Sequence, residues 1–193
     1  MLAKIGEVIE SSTEKFVAEC YELHIPPTFG SLVRTKEGGI DIYAVVCGAA
    51  TSSIEAGRRP IARGKGDVNE EDIYRSNPQL EKLLRTEFSA LVVGHGDGGR
   101  ICQYMPPRPA RIHSFVYPCA PDDVAAFNKS LAYLGILVDA PERSNELVAA
   151  ALRNAAVAHA APREYLVRAG KELAALLVND TGRLNSILKK VKA

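Results

Sequence analysis

The densest positive charge in the chain is Gly57-Arg58-Arg59-Pro60-Ile61-Ala62-Arg63-Gly64-Lys65-Gly66. Arginine forks and a lysine on a loop that glycines let bend are suited to capturing phosphate or carboxylate. A nucleotide-cradling loop has the spacing G-x-x-x-x-G-K-[ST], in which backbone N–H groups hold phosphate and a hydroxyl holds magnesium. Here six residues separate Gly57 from Gly64, Gly66 stands where the hydroxyl is needed, and Pro60 removes one N–H. Walker chemistry is excluded. Two readings stay open. In one, Arg58, Arg59, Arg63 and Lys65, joined by Arg108 and Arg111, bind an acidic partner or a nucleic-acid backbone. In the other, Asp67, Glu70, Glu71 and Asp72 neutralise a solvated connection.

A second stretch, Gly94-His95-Gly96-Asp97-Gly98-Gly99, offers backbone N–H groups for an anion and a His/Asp pair for proton transfer. A glycine-rich hairpin turn explains the same residues without function. Nucleophile signatures are missing: no serine stands in G-x-S-x-G. Cys20, Cys47, Cys102 and Cys119 form no C-x-x-C pair, and His24, His95, His113 and His159 give no H-E-x-x-H spacing. The expectation is therefore no catalytic residue, no metal and no cofactor, with the cysteines acting as reduced, buried small hydrophobes. Met105-Pro106-Pro107-Arg108-Pro109 reads as a polyproline ligand or a stiff strand connection.

The bulk numbers limit partners. The chain has 193 residues, enough for one good core or a domain with an appendage. Its 24 basic and 23 acidic residues give a formal net charge of +1, so no global field favours nucleic acid or an anionic membrane. No apolar run approaches the roughly 18 residues of a membrane span, and Met1 to Glu7 carries no signal-peptide pattern. A cytoplasmic protein is expected.

The elements that must position these residues follow from periodicity. Ile5 to Glu10 and Lys15 to Leu23 read as a hairpin, with Phe16, Ala18 and Cys20 on one face. Gly30 to Lys36 is a third strand, Glu37-Gly38-Gly39 a turn, and Ile40 to Thr51 the longest strand. Ile40, Ile42, Ala44 and Val46 share one face of that strand. Its second half lacks polar residues, which predicts cover on both faces. A helical insert spans about residues 67–85, with Asn77 capping a second helix that opens on Pro78. Strands return at Glu87 to Gly94, with Phe88, Ala90 and Val92 on one side, and at Ile101 to Met105 and Ile112 to Tyr117.

From Pro121 the period is helical. Val124, Phe127, Leu131 and Leu134 predict one helix closed by Gly135. Ser144 caps a second carrying Leu147, Val148, Ala151, Leu152 and Ala155. Pro162 opens a third carrying Tyr165, Leu166, Ala169, Leu173, Leu176 and Leu177, and Asp180 or Thr181 caps a fourth. Strands followed by helices predict an α+β fold: a small antiparallel β-barrel over residues 1–119 with a helical insert, then an α-helical domain over residues 120–193.

The opening Ile5-Gly6-Glu7-Val8-Ile9-Glu10, its answering strand, Gly30-Ser31-Leu32-Val33 and the strand from Ile40 resemble the HAS-barrel, the small β-barrel at the N-termini of HerA-type DNA-translocating ATPases and of rotary ATP synthase α and β subunits. Gly57-Arg58-Arg59-Pro60 and the stretch from Leu84 to Val92 resemble stand-alone HAS-barrel proteins such as those of cyanobacteria. In the large ATPases the barrel is a collar between subunits, and catalysis lies in a P-loop domain that this chain does not carry over. The resemblance thus implies an accessory or assembly role with a protein partner. The apolar stripes of the last helices leave homo-oligomerisation open, and the basic loop leaves nucleic acid as the alternative.

Overall fold

The computed structural model describes residues 3–55, 57–62, 64–66, 69–140 and 145–192. Its strands are β1 (Gly6–Ser11), β2 (Lys15–Cys20), β3 (Leu32–Glu37), β4 (Ile40–Ser53), β5 (Leu84–Asp97), β6 (Arg100–Cys102) and β7 (Phe115–Pro118). Two short helices, α1 (Glu70–Ser76) and α2 (Leu80–Leu83), lie between β4 and β5. Five follow β7: α3 (Pro121–Phe127), α4 (Tyr133–Asp139), α5 (Asn145–Ala156), α6 (Pro162–Leu176) and α7 (Thr181–Val191).

Six strands close a ring in the order β2-β1-β7-β3-β4-β5, because β2 also pairs with β5, and β6 hangs on β5. All pairings are antiparallel. Closure leaves the ring without the unpaired edges of an open sheet. The expected α+β fold, a barrel with an insert followed by helices, is what the chain forms. Two turns set hairpin register. Gly38-Gly39 and Gly98-Gly99 both take positive φ at both residues, the geometry of a two-residue turn matched to strand twist.

Strand alternation builds two cores. Val8, Phe16, Ala18, Val33, Ile42, Ala44, Val46, Phe88, Ala90, Val92 and Val116 fill the barrel. The rings of Phe16 and Phe88 meet edge to face at 6.4 Å. Outward-facing Tyr43, Val45, Leu91 and Val93 lie under the helices, in a cluster with Phe127, Leu134, Leu147, Leu152, Leu173 and Ile187. No helix among the described residues is long and apolar enough to cross a membrane.

Several local expectations are corrected. The doubly covered stretch of β4 is Ile42 to Val46, whereas Ala49 to Ser52 are exposed. That second half lacks polar charge because small residues line a projecting arm, not because a core encloses it. Gly94 and Gly96 lie inside β5 rather than in the turn. A Cβ on Gly94 would sit 2.4 Å from the Cys102 carbonyl oxygen, so close strand approach explains that glycine. Asn77 closes α1 instead of capping α2: its side-chain amide donates to the Ile73 carbonyl at 3.0 Å.

The single helix expected from Val124 to Gly135 is two, with Gly135 inside α4. The break falls at Asn128, whose backbone N–H and side-chain amide both donate to the Val124 carbonyl. Ser144 lies outside the described residues, but its helix buries all five predicted apolar positions. Pro162 opens α6 as expected, although Leu176 is 41% exposed. Asp180 caps α7 by accepting from the Arg183 N–H at 2.9 Å.

Candidate interaction surface

The outer edge of β4 is paired with β3 only as far as Val45, and β2 reaches β5 only at Glu87. Beyond these points β4 and the start of β5 continue as a two-stranded arm, from Thr51↔Thr86 to Ser53↔Leu84. The basic loop begins at its tip. Arg58 Nη1 lies 2.8 Å from Glu55 Oε2, with both side chains more than half exposed. Asp72, expected to neutralise the loop, instead pairs with Arg75 at 2.8 Å. Arg59 and Lys65 are exposed and have no carboxylate partner among the described residues. Arg63, Asp67 and the Glu70 side chain lie outside the described residues. Arg58, Arg59, Pro60 and Ile61 face Leu80, Leu83 and Leu84 across a depression of about 70 Å³. Ile61 is 78% exposed there and Ile54 46%. The tip is thus basic and apolar at once.

The predicted six-cation set is not one patch. Arg108 Nη2 lies beside Gly38, in the turn at the opposite end of β4. Arg111 accepts through its carbonyl from the Ser114 N–H, and Ser114 Oγ donates to the Lys36 carbonyl, so it too belongs to that end. The 14 residues of β4 separate the groups, roughly 40 Å along the strand at about 3.3 Å per residue.

The histidines are dispersed. His95 is buried in β5 with Nδ1 3.3 Å from the Tyr104 carbonyl oxygen. His24 ties its loop to α1 through Tyr74 (2.8 Å) and its N–H donates to Thr86 Oγ1. His159 stacks on Tyr165 at 4.2 Å. Among the described residues no three His, Cys, Asp or Glu side chains converge. All four cysteines are free thiols. Burial pushes the Cys20 thiol up to about 11 and Cys119 up to about 12, the opposite of what a thiolate nucleophile needs.

Sequence reasoning missed one cluster. His113, at a positive φ of 71°, places Nδ1 2.5 Å from Glu7 Oε1, while Tyr21 donates to Glu7 Oε2 at 3.1 Å. Lys4 Nζ sits 4.0 Å from the Phe115 ring centroid and 5.1 Å from that of Tyr21. The signal lay in register: Glu7 pairs directly with Phe115 in the β1–β7 ladder. The hydrogen bonds from His113 and then Tyr21 hold the Glu7 carboxyl below its ordinary 4.5. A lowered folded value means the contact stabilises above that ordinary value and is lost as pH falls through the folded one. Replacing Glu7→Gln is expected to lower the melting temperature at about pH 6 and to make progressively less difference toward about pH 3. A gap that stays constant with pH removes the ionic account.

No family model matches the chain, and no curated protein is significantly similar to it.

Proposed function

We propose that the chain is a non-catalytic interaction protein, a HAS-barrel-like domain with a helical appendage that works in the cytoplasm as an assembly element of a larger complex. The resemblance makes an ATPase-containing assembly the class of complex to examine. The observation that carries the reading is the arm tip. It projects beyond the barrel and sets Arg59, which lacks a carboxylate partner among the described residues, in one depression with the exposed Ile61; Lys65, further along the same loop, is also exposed and has no carboxylate partner among the described residues. A site that is cationic and apolar together fits an acidic protein segment with apolar anchors.

The test is capture of the tagged chain's partners from native cells under mild conditions, repeated with an Arg58→Ala, Arg59→Ala pair. Partners are expected to be lost with the pair. Its thermal midpoint should stay within about 2 °C, because exposed ion pairs such as Arg58–Glu55 contribute under about 1 kcal/mol. Repeated recovery of the wild-type chain alone rejects the reading.

The cations of the loop support a second reading, a nucleic-acid contact, in which Arg58 exchanges Glu55 for phosphate. Three phosphate contacts, from Arg58, Arg59 and Lys65, give a slope of about −2 to −3 in log affinity against log salt. A polarisation titration of a DNA duplex and an RNA strand at two salt concentrations measures it, and no binding at low salt eliminates it.

A further inference from the structure

The outer edge of β4 is open. β3 leaves it where the Gly30 N–H donates to the Val46 carbonyl and the chain turns away toward α5. From residue 48 to residue 53, β4 is hydrogen-bonded to β5 in six unbroken pairs on one side. On its other side no strand or loop among the described residues bonds to it. Natural sheets protect such edges with lysine, proline or inward charge, or by covering them. Ile42 to Ile54 contains no charged residue and no proline, and no segment among the described residues pairs with this edge. Ala49, Ala50, Thr51 and Ser52 are exposed, and a Cβ on Gly48 would meet nothing within 4 Å. Small side chains on both faces leave room for larger ones on an incoming strand.

We propose that this edge takes an extended segment of a partner protein as an added antiparallel or parallel strand, in line with β3, with acidic residues at the end beside Ser53. The charge complementarity comes from the tip. Arg58 and Arg59 line a depression with Ser53, so a strand running along residues 48–53 ends next to the depression that these two arginines line. Main-chain hydrogen bonds supply affinity, and the arginines set polarity and register. This deepens the interaction role above and rests on it, but the two fail separately in the following experiment.

The probes are two fluorescein-labelled peptides of about ten residues, alternating Thr and Val with three Asp at the N-terminus in one and at the C-terminus in the other. Fluorescence polarisation with the full chain reads their binding. Each peptide is also made N-methylated at alternate residues, in the two possible sets. In an added strand only one set of N–H groups faces β4. One methylated set is therefore expected to lose at least about tenfold in affinity, and the other less than about threefold. Bound peptide should also slow amide exchange in residues 48–53.

If both sets bind as the parent does, and Arg58→Ala, Arg59→Ala abolishes binding, the tip docks acidic segments and strand addition is overturned. Absence of peptide binding overturns it as well. A sedimentation dimer whose residue 48–53 amides are protected without peptide assigns the edge to a second copy, which also overturns the proposal. If partner capture fails too, the interaction role falls with it.

Discussion

A Gly30→Ala protein is expected to be about 3–4 kcal/mol less stable than the wild type, a drop in melting temperature of roughly 10 °C for a chain of this size. Two costs combine. Gly30 has φ +80°, where a Cβ costs about 1–2 kcal/mol. That Cβ would also lie 2.6 Å from the Ala150 Cβ and 2.7 Å from the Ala150 backbone carbon. Ala150 is in α5 and 4% exposed, so relief requires moving a helix packed in the second core. Overpacking of this kind costs about 1–3 kcal/mol. Gly39→Ala separates the two costs. Gly39 has φ +89°, but nothing lies within 4 Å of its added Cβ, so only the conformational cost of about 1–2 kcal/mol applies. Urea denaturation of both variants decides. Equal losses would show that α5 yields freely and that close packing does not hold the Gly30 turn.

That turn also explains why some of the chain was legible in sequence and some was not. Period-two alternation placed Phe16, Ala18, Phe88, Ala90 and Val92 in the barrel, because a strand's faces are a local property. Ring closure is not local, since Lys15 pairs with Leu91. The open edge of β4 depends on where β3 departs, and this is decided by Gly30 meeting a helix some 120 residues later. In a list of residues, Gly48 to Ser53 lacks charge just as a buried strand does; burial distinguishes the two cases. The helix break at Asn128 was hidden for a related reason. Apolar spacing ran through it, and only the side-chain bond to the Val124 carbonyl shows that the helix stops there.

At the candidate surface, sequence located the basic tip but not Glu55, the upstream carboxylate that Arg58 pairs with, and it assigned to the loop an Asp72 that pairs with Arg75. Charge density along the chain also joined Arg108 and Arg111 to a site that β4 holds them away from. The Glu7–His113 contact spans 106 positions, beyond any spacing rule.

The second large effect is expected at Asn128, which is 2% exposed where α3 ends. Its Oδ1 accepts from both Tyr133 and Tyr165 hydroxyls at 2.9 Å, and its amide donates to the Val124 carbonyl at 2.8 Å. Arg168 Nη2 donates to its backbone carbonyl at 2.6 Å. One side chain therefore satisfies polar groups from α3, α4 and α6 inside the core that fastens the helices to the barrel. Both hydroxyls are buried deeply enough for their pKa to rise, Tyr133 well above its usual value and Tyr165 up to about 12, chiefly through burial. Asn128→Ala removes the acceptor that both share, and the contact between the two hydroxyls can satisfy only one of them. One orphaned buried hydroxyl at about 1–3 kcal/mol, together with about 1 kcal/mol for the lost side-chain bond to Val124, gives an expected loss of about 2–4 kcal/mol, read by urea denaturation. Non-additivity provides the decisive comparison. In a Tyr133→Phe, Tyr165→Phe background no hydroxyl remains to be orphaned, so Asn128→Ala should cost about 2 kcal/mol less there than in the wild type. Equal cost in both backgrounds would mean that Asn128 acts by filling space and closing α3, and that the tyrosine hydroxyls find water in its absence.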